Sequence, residues 1–399
     1  MKNITSIFII LSLISCASEN STNQLKPHQT ISVQLNDSKE NTNSFLNSIE
    51  DINVIPLEID SSVILVEGKI QLRVTSERII VFDNKTNKIF AFSKSGEFLF
   101  KINKYGHGPG EYLRPANIFL NHKLDICLYD KATKKIQFYD SSGNSIMEKI
   151  TDIPADNVTF LNDTLFVAFA QHTRFFDKNN DGVKILNING KTIRTFLPLP
   201  NWITNSSLTT ASGSNFAYQN NTPNLIMPWD NNVYGITPDS IFCKYKIDFG
   251  KYNIPESFLK DNEDNINDDL IKITQTIQQQ GWAYFLDFFQ ESLNHVYFTN
   301  MQGKNLLYTL YDKRTKNAKT IPFGSLPPEW YLITKPFLAS QNETFYTFVS
   351  INQMNNLLII QSLKDPRLIK VKNQYIQYKN KIATELRDDD YILLSFKLN

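Results

Sequence analysis

A chain of 399 residues carries 41 lysines and arginines against 40 aspartates and glutamates, a formal charge of +1. That balance supplies no clustered basic face, so nucleic acid is excluded as an expected partner. The aromatic content is high, with 28 Phe, 17 Tyr and 4 Trp, as many short strands packed through rings require.

The N-terminus reads as an export signal. Lys2 gives one positive charge, and Ile4 to Ile14 is a mostly apolar run too short to span a bilayer comfortably. Ser15-Cys16 follows at once. A small residue before a cysteine at the end of such a run resembles a bacterial lipoprotein signal. The resemblance implies cleavage before Cys16, lipid on its thiol and acylation of its new amine. Several acyl chains together make a stable anchor. Residues 1–15 are then a signal peptide, 16–50 a flexible polar tether and 51–399 the folded domain. The expected location is the bacterial envelope, at the outer membrane, with the lipid as the membrane contact. Cys127 and Cys243 lie in apolar strand-like runs and are expected as buried free thiols.

Structure is expected to begin with a strand near Ile52 to Ile59, at an edge because Pro56 lacks an N–H. Ile79-Ile80-Val81-Phe82 is apolar throughout, as in a strand covered on both faces. Asp83 opens a polar turn, Ile89 to Phe92 returns, and Ser95-Gly96 turns the chain again. The unit then repeats. Asp83, Ile89 and Gly96 recur as Asp130, Ile136 and Gly143, and again as Asp177, Val183 and Gly190, at a step of 47 residues. A fixed period of this length marks a repeat architecture, and strand–turn–strand–turn–strand is the make-up of a propeller blade.

After Pro200 the register breaks. Asn201 to Asn224 reads as a polar loop, and a hairpin follows from Leu225 to Ile236. Ile266, Leu270, Ile273 and Ile277 share one helical face that ends near Gly281, an insertion on a β scaffold. Strands resume at Ala283, Val296, Leu306, Phe345 and Leu357–Ile360, with a second helix expected around Gln374 to Leu386. Tyr391 to Phe396 closes the chain. An open ring leaves edges exposed, so this last strand and the first are expected in the same or adjacent blades.

Gly106-His107-Gly108-Pro109-Gly110-Glu111-Tyr112, then Pro115, then a strand ending in Asp130 and a closing Gly143, resembles an NHL-type repeat. The whole exported chain resembles the six-bladed β-propeller lipoproteins of Bacteroides-like bacteria. Ile55-Pro56-Leu57-Glu58, Tyr245 to Lys251 and Asp389 to Leu394 carry that likeness, although Tyr391 stands where those proteins usually have Asn-Pro. The resemblance implies an all-β fold, a six-bladed β-propeller with helical insertions. It implies little about activity, because propellers host many functions.

Three candidate sites stand out. The loop containing Gly106, His107, Gly108 and Gly110, with Arg114 beside it, offers amides that can cradle an anion; the plainer reading is an inter-blade turn. Asp177, Asn179 and Asp181 before Gly182 copy the opening of a calcium loop, but Ile188 stands where the bidentate Glu belongs, and the repeat register makes Asp177 a hairpin turn. Trp202, Trp229, Trp282 and Trp330 fit stacking on sugars, or, more plainly, packing between blades. No zinc helix, Gly-x-Ser-x-Gly elbow or phosphate-binding Gly-x-x-x-x-Gly-Lys is present. The expected function is a non-catalytic binding or scaffold module for a glycan, peptide or protein, with no cofactor. The alternative is a calcium-dependent hydrolase or lyase with its metal in the central channel. Carboxylates and Asn facing that channel favour the enzyme, and an apolar or plugged channel favours the scaffold.

Overall fold

The computed structural model describes residues 25–34, 39–58, 70–173, 177–219, 222–381, 386–388 and 390–399. The signal peptide and Cys16 lie outside them.

The described chain opens with strand β1 (Gln29–Ser32), helix α1 (Lys39–Leu46) and strand β2 (Ile49–Ile55). Six sheets follow in chain order. The first is β3 (Ile70–Val74), β4 (Arg78–Asp83), β5 (Lys88–Ser93) and β6 (Phe98–Ile102). The second is β7 (Pro115–Leu120), β8 (Ile126–Asp130), β9 (Lys135–Tyr139) and β10 (Ser145–Ile150). The third is β11 (Asn157–Asn162), β12 (Leu165–Phe169), β13 (Asp181–Asn187) and β14 (Thr192–Pro198). Helix α2 (Asn201–Thr204) leads to the fourth: β15 (Phe216–Gln219), β16 (Thr222–Leu225), β17 (Asn232–Ile236) and β18 (Ile241–Asp248). Helices α3 (Glu256–Asp261) and α4 (Leu270–Gln280) precede the fifth: β19 (Ala283–Glu291), β20 (His295–Gln302), β21 (Asn305–Asp312) and β22 (Asn317–Pro322). After α5 (Pro328–Ile333) the sixth takes β23 (Ala339–Gln341) and β24 (Thr344–Ser350), then helices α6 (Ile351–Ile359) and α7 (Pro366–Lys381), and returns as β25 (Tyr391–Leu398).

The sheets are antiparallel within each sequential set and pack face to face. Side chains alternate across a strand, and in β4 both sets are buried. Ile79 and Val81 join Phe90, Phe348 and Leu393 between the first and sixth sheets. Ile80 and Phe82 join Ile118 and Leu128 between the first and second. Similar cores separate the second from the third, the third from the fourth, the fourth from the fifth and the fifth from the sixth. Each sheet thus packs on the next, and the sixth packs on the first.

Both chain ends meet in the sixth sheet. β2 pairs antiparallel with β25, with Ile55 opposite Leu393, as the closure argument expects. β2 is the outer edge, and α7 covers its free groups. Gln374 Oε1 accepts from Val54 N at 2.9 Å and Arg367 Nη1 donates to Ile49 O at 2.5 Å, while just past the strand Tyr378 OH donates to Leu57 O at 2.9 Å. An edge covered in this way cannot template a foreign strand.

Three expectations need correction. The tether expected over 16–50 contains structure: β1 pairs parallel with β18, and α1 packs on β22. Ile31 and Phe45 are buried there. Strand pairing uses backbone groups, so a polar composition does not forbid it. The loop expected over 201–224 contains α2 and β15. The strand expected at Leu357–Ile360 lies mostly in α6, whose N-terminus carries a capping box between Ser350 and Gln353. Ile351, Met354 and Leu357 are buried at helical spacing. The two cysteines are buried and free.

Candidate functional site

The innermost strands of the six sheets surround a common axis: β3 touches β7, β7 touches β11, β11 touches β16, β15 touches β19, β19 touches β23 and β23 touches β3. Their inward edges carry backbone groups with no strand beside them, and amide side chains satisfy many of these. Gln71 Nε2 donates to Ala116 O at 2.9 Å and Gln71 Oε1 accepts from Ile118 N at 3.0 Å, tying the first sheet to the second. Asn117 repeats the device toward Val158 of the third, at 2.8 and 3.1 Å.

The segment from Thr210 to Asn215 crosses the axis. Gly213 O accepts from Gln71 Nε2 at 2.9 Å, in the first sheet. Asn215 N donates to Asn157 Oδ1 at 2.8 Å, in the third. Ala211 N and Ser212 N donate to the Asp287 carboxylate, in the fifth. Burial pushes Asp287 above the usual carboxylate range, against the pull of these amides.

This crossing divides the axial space. Ala211 borders a cavity of about 640 Å³ at one end, with Lys335, Thr347 and Asp388. Ser212 and Ser214 border a void of about 20 Å³ in the middle, room for one water at most. Phe216 to Tyr218 border a cavity of about 340 Å³ at the other end. Arg73 reaches the second and third of these spaces. Its Nη2 donates to Ile118 O at 3.0 Å, its Nη1 to Leu72 O at 2.9 Å, and its guanidinium carbon lies 4.5 Å from the Tyr218 ring centroid. Tyr218 OH donates to Thr159 Oγ1 at 2.9 Å, which fixes the ring.

The residues singled out in the sequence lie elsewhere. The Gly106–Tyr112 loop joins β6 to β7, with His107 and Arg114 exposed. Its amide cradle holds the protein's own carboxylate: Gly108 N donates to Glu111 Oε2 at 2.7 Å, and a side chain on Gly106 would collide with that oxygen. Gly110, at φ +73, lies against Ser145, and its carbonyl accepts from Tyr139 OH at 3.0 Å. Asp177 pairs with Lys184, Asp181 accepts from Thr195 Oγ1, and Asn179 N donates to Asp177 Oδ1 at 2.9 Å. The Asp177 and Asp181 carboxylates are thus each engaged by a separate protein partner. Among the described residues no group of three His, Cys, Asp or Glu could hold a metal ion. Trp229 and Trp330 are buried, while Trp282 packs edge-on against Phe258 at 5.0 Å. The sequence reading passed over Arg73, although an arginine among Ile70, Leu72 and Val74 is a visible signal.

Residues 29–384 match the family described as Domain of unknown function (DUF4934). The chain belongs to this family. This DUF4934 protein is similar to a presumed exported protein from Bacteroides fragilis, at 18% identity and TM-score 0.75, over 93% of this chain and 100% of that one. That likeness is one of fold. A member of the DUF4221 family from Bacteroides vulgatus aligns at 9% identity and TM-score 0.49, over 88% of this chain and 97% of its own. Virginiamycin B lyase from Staphylococcus aureus aligns at 10% identity and TM-score 0.39, over 74% and 80%. No curated protein matches the sequence.

Proposed function

We propose that the chain is an exported lipoprotein whose sheets are the blades of a closed six-bladed β-propeller with NHL-like repeats, and that the propeller is a non-catalytic binding module for a glycan, peptide or protein. It is held at the outer membrane through lipid on Cys16. The presumed export of the Bacteroides fragilis protein agrees with this reading. Among the described residues no helix is long and apolar enough to cross a membrane; lipid on Cys16 is the proposed attachment.

The observation that carries the binding reading is the axial crossing. A propeller hydrolase of the alternative kind needs its metal on the axis, with carboxylates and Asn aimed at it. Here backbone from Ala211 to Asn215 occupies that place and takes the hydrogen bonds of Gln71, Asn157 and Asp287. What remains open is a cavity at each end, the concave form that ligands use.

The test is retention of the full chain, in detergent, on glycan and peptide arrays with and without a calcium chelator. Binding that ignores the chelator, with every array component recovered unchanged by mass spectrometry, supports the module. Chelator-sensitive cleavage would replace it with the calcium-dependent hydrolase or lyase.

A further inference from the structure

Among the described residues Arg73 is a charge without a counter-charge. Guanidinium carries five N–H donors in a fixed planar fork. Two contacts to carbonyls are accounted for, and Nε is shielded from solvent with no acceptor. Several other arginines of this fold are met by carboxylates, although the exposed Arg78 reaches only Ser141 O. Arg367 Nε and Nη2 both donate to Asp365, at 3.0 and 2.6 Å, while its Nη1 donates to Leu46 O at 2.7 Å. Arg387 donates to Asp390 at 2.7 Å. Among the described residues Arg73 has no such partner.

The cavity wall does not supply one either. Among the described residues its one other charged lining residue is Glu291. That carboxylate is buried and already taken by Lys244 Nζ at 2.6 Å, Lys313 Nζ at 2.6 Å and Tyr245 OH at 2.7 Å. Glu343, which accepts from Ser292 Oγ at 2.8 Å, stands beside them as a second carboxylate, so the two ammonium groups are answered behind the wall and the unmet charge is that of Arg73. Tyr218 covers one face of the guanidinium and holds its plane. A planar fork with donors to spare, held flat and uncompensated, is built for a planar anion.

We infer that the Arg73 cavity binds a single carboxylate carried on a small hydroxylated body, that is, a sugar acid. The inference rests on the binding reading above and names the ligand of one of its cavities. A lone guanidinium matches the single charge and two coplanar oxygens of a carboxylate better than a phosphate dianion. Around it stand neutral hydrogen-bonding side chains, Ser76, Gln290, Ser340 and Gln341, which suit ligand hydroxyls. About 340 Å³ is the lower end of the small-ligand range, enough for one or two sugar rings.

The experiment is calorimetric titration of the full chain in detergent with D-glucuronate and D-galacturonate. D-glucose and D-galactose are the neutral twins, and diglycine is the peptide-carboxylate arm. At least one uronate is expected to bind at least about 10-fold tighter than its neutral twin and than diglycine. Arg73→Met keeps the stem and removes the fork, and should weaken the uronate by about 10-fold or more. Because Arg73 also bonds Ile118 O, Ser76→Trp is the second variant: it fills the cavity mouth from an exposed position and should abolish uronate binding in a protein with an unchanged thermal midpoint. Equal binding of the neutral twins, tighter binding of diglycine, no uronate binding up to about 10 mM, or uronate binding indifferent to both variants overturns the inference. In each of these the arrays still report whether the module binds something else. Conversion of a uronate probe, seen by NMR and lost with Arg73→Met, would overturn the non-catalytic reading while leaving the carboxylate contact supported.

Discussion

Asp130 ends β8 and, read from the sequence, is a hairpin-turn residue worth about 1 kcal/mol. The structure gives it more to do. Its carboxylate is fully buried and accepts from Ala132 N at 3.1 Å and Thr133 Oγ1 at 2.8 Å, which is the local turn. It also accepts from Leu113 N at 3.0 Å and Arg114 N at 2.9 Å, the last residues of the connection from the first sheet. Asp130→Ala therefore strands four donors, two of them in another segment. A stranded buried donor costs about 1–3 kcal/mol, and water entering the small space left by the carboxylate recovers part of it, so a total of about 4 kcal/mol is expected. Asp130→Asn keeps one acceptor oxygen but turns an N–H toward other N–H groups, and should fall between. The assay is urea unfolding of the full chain in detergent, followed by tryptophan fluorescence, comparing midpoints at constant slope. A loss below about 1 kcal/mol for Asp130→Ala would refute the inter-segment role and return Asp130 to the status of a plain turn.

Deleting Asp390 to Asn399 removes the strand that lies between β24 and β2, so thermal unfolding should lose both midpoint and cooperativity; an unchanged transition would show that ring closure does not depend on β25. Cys16→Ala should release the protein from membranes, and a variant that still sediments with membranes after a high-salt wash would show another anchor. The Arg367 guanidinium beside Asp365 holds its carboxyl below the usual range. A depressed folded-state value stabilises above the ordinary carboxylate pKa of about 4 and is lost as pH falls through the lower folded value, so Asp365→Asn should flatten the acid limb of melting temperature against pH, and an unaltered limb would count against it. Calcium should leave the melting temperature unmoved through Asp177, whose carboxylate is engaged by Lys184; a calcium-induced rise that disappears in Asp177→Ala would restore the metal reading.

How much of this was legible in the sequence depends on the range of the interaction. The hairpins were, because Asp83, Asp130, Gly96 and Gly143 act on backbone a few residues away, and local chemistry leaves a local pattern. Even there the third repeat slipped. β12 ends at Phe169 and the chain travels to Asp181 before β13, so Asp177 keeps the period of 47 but not the strand-end position of Asp83 and Asp130. The α6 error came from a short apolar run, which fits a buried strand or a helix equally until its ends are read. Ser350 and Gln353 were there to be read as a capping box.

The candidate site was a different kind of problem. The glycine loop attracted attention because glycines mark unusual backbone, yet its amides serve Glu111, three residues from Gly108. The groups that shape the axial space are Gln71, Asn117, Asn157 and Asp287, and each acts on a segment far along the chain. Gln71 meets Gly213 across 142 residues of sequence, and Asp287 meets Ala211 across 76. A glutamine on a strand has no periodicity that distinguishes such a bridge from solvent exposure. Arg73 is the intermediate case. Its charge among Ile70, Leu72 and Val74 showed that something must compensate it, because a half-desolvated cation without a partner is costly. Only the packed sheets reveal that, among the described residues, Arg73 meets Tyr218 and two carbonyls but no carboxylate, and the proposed carboxylate site rests on that imbalance.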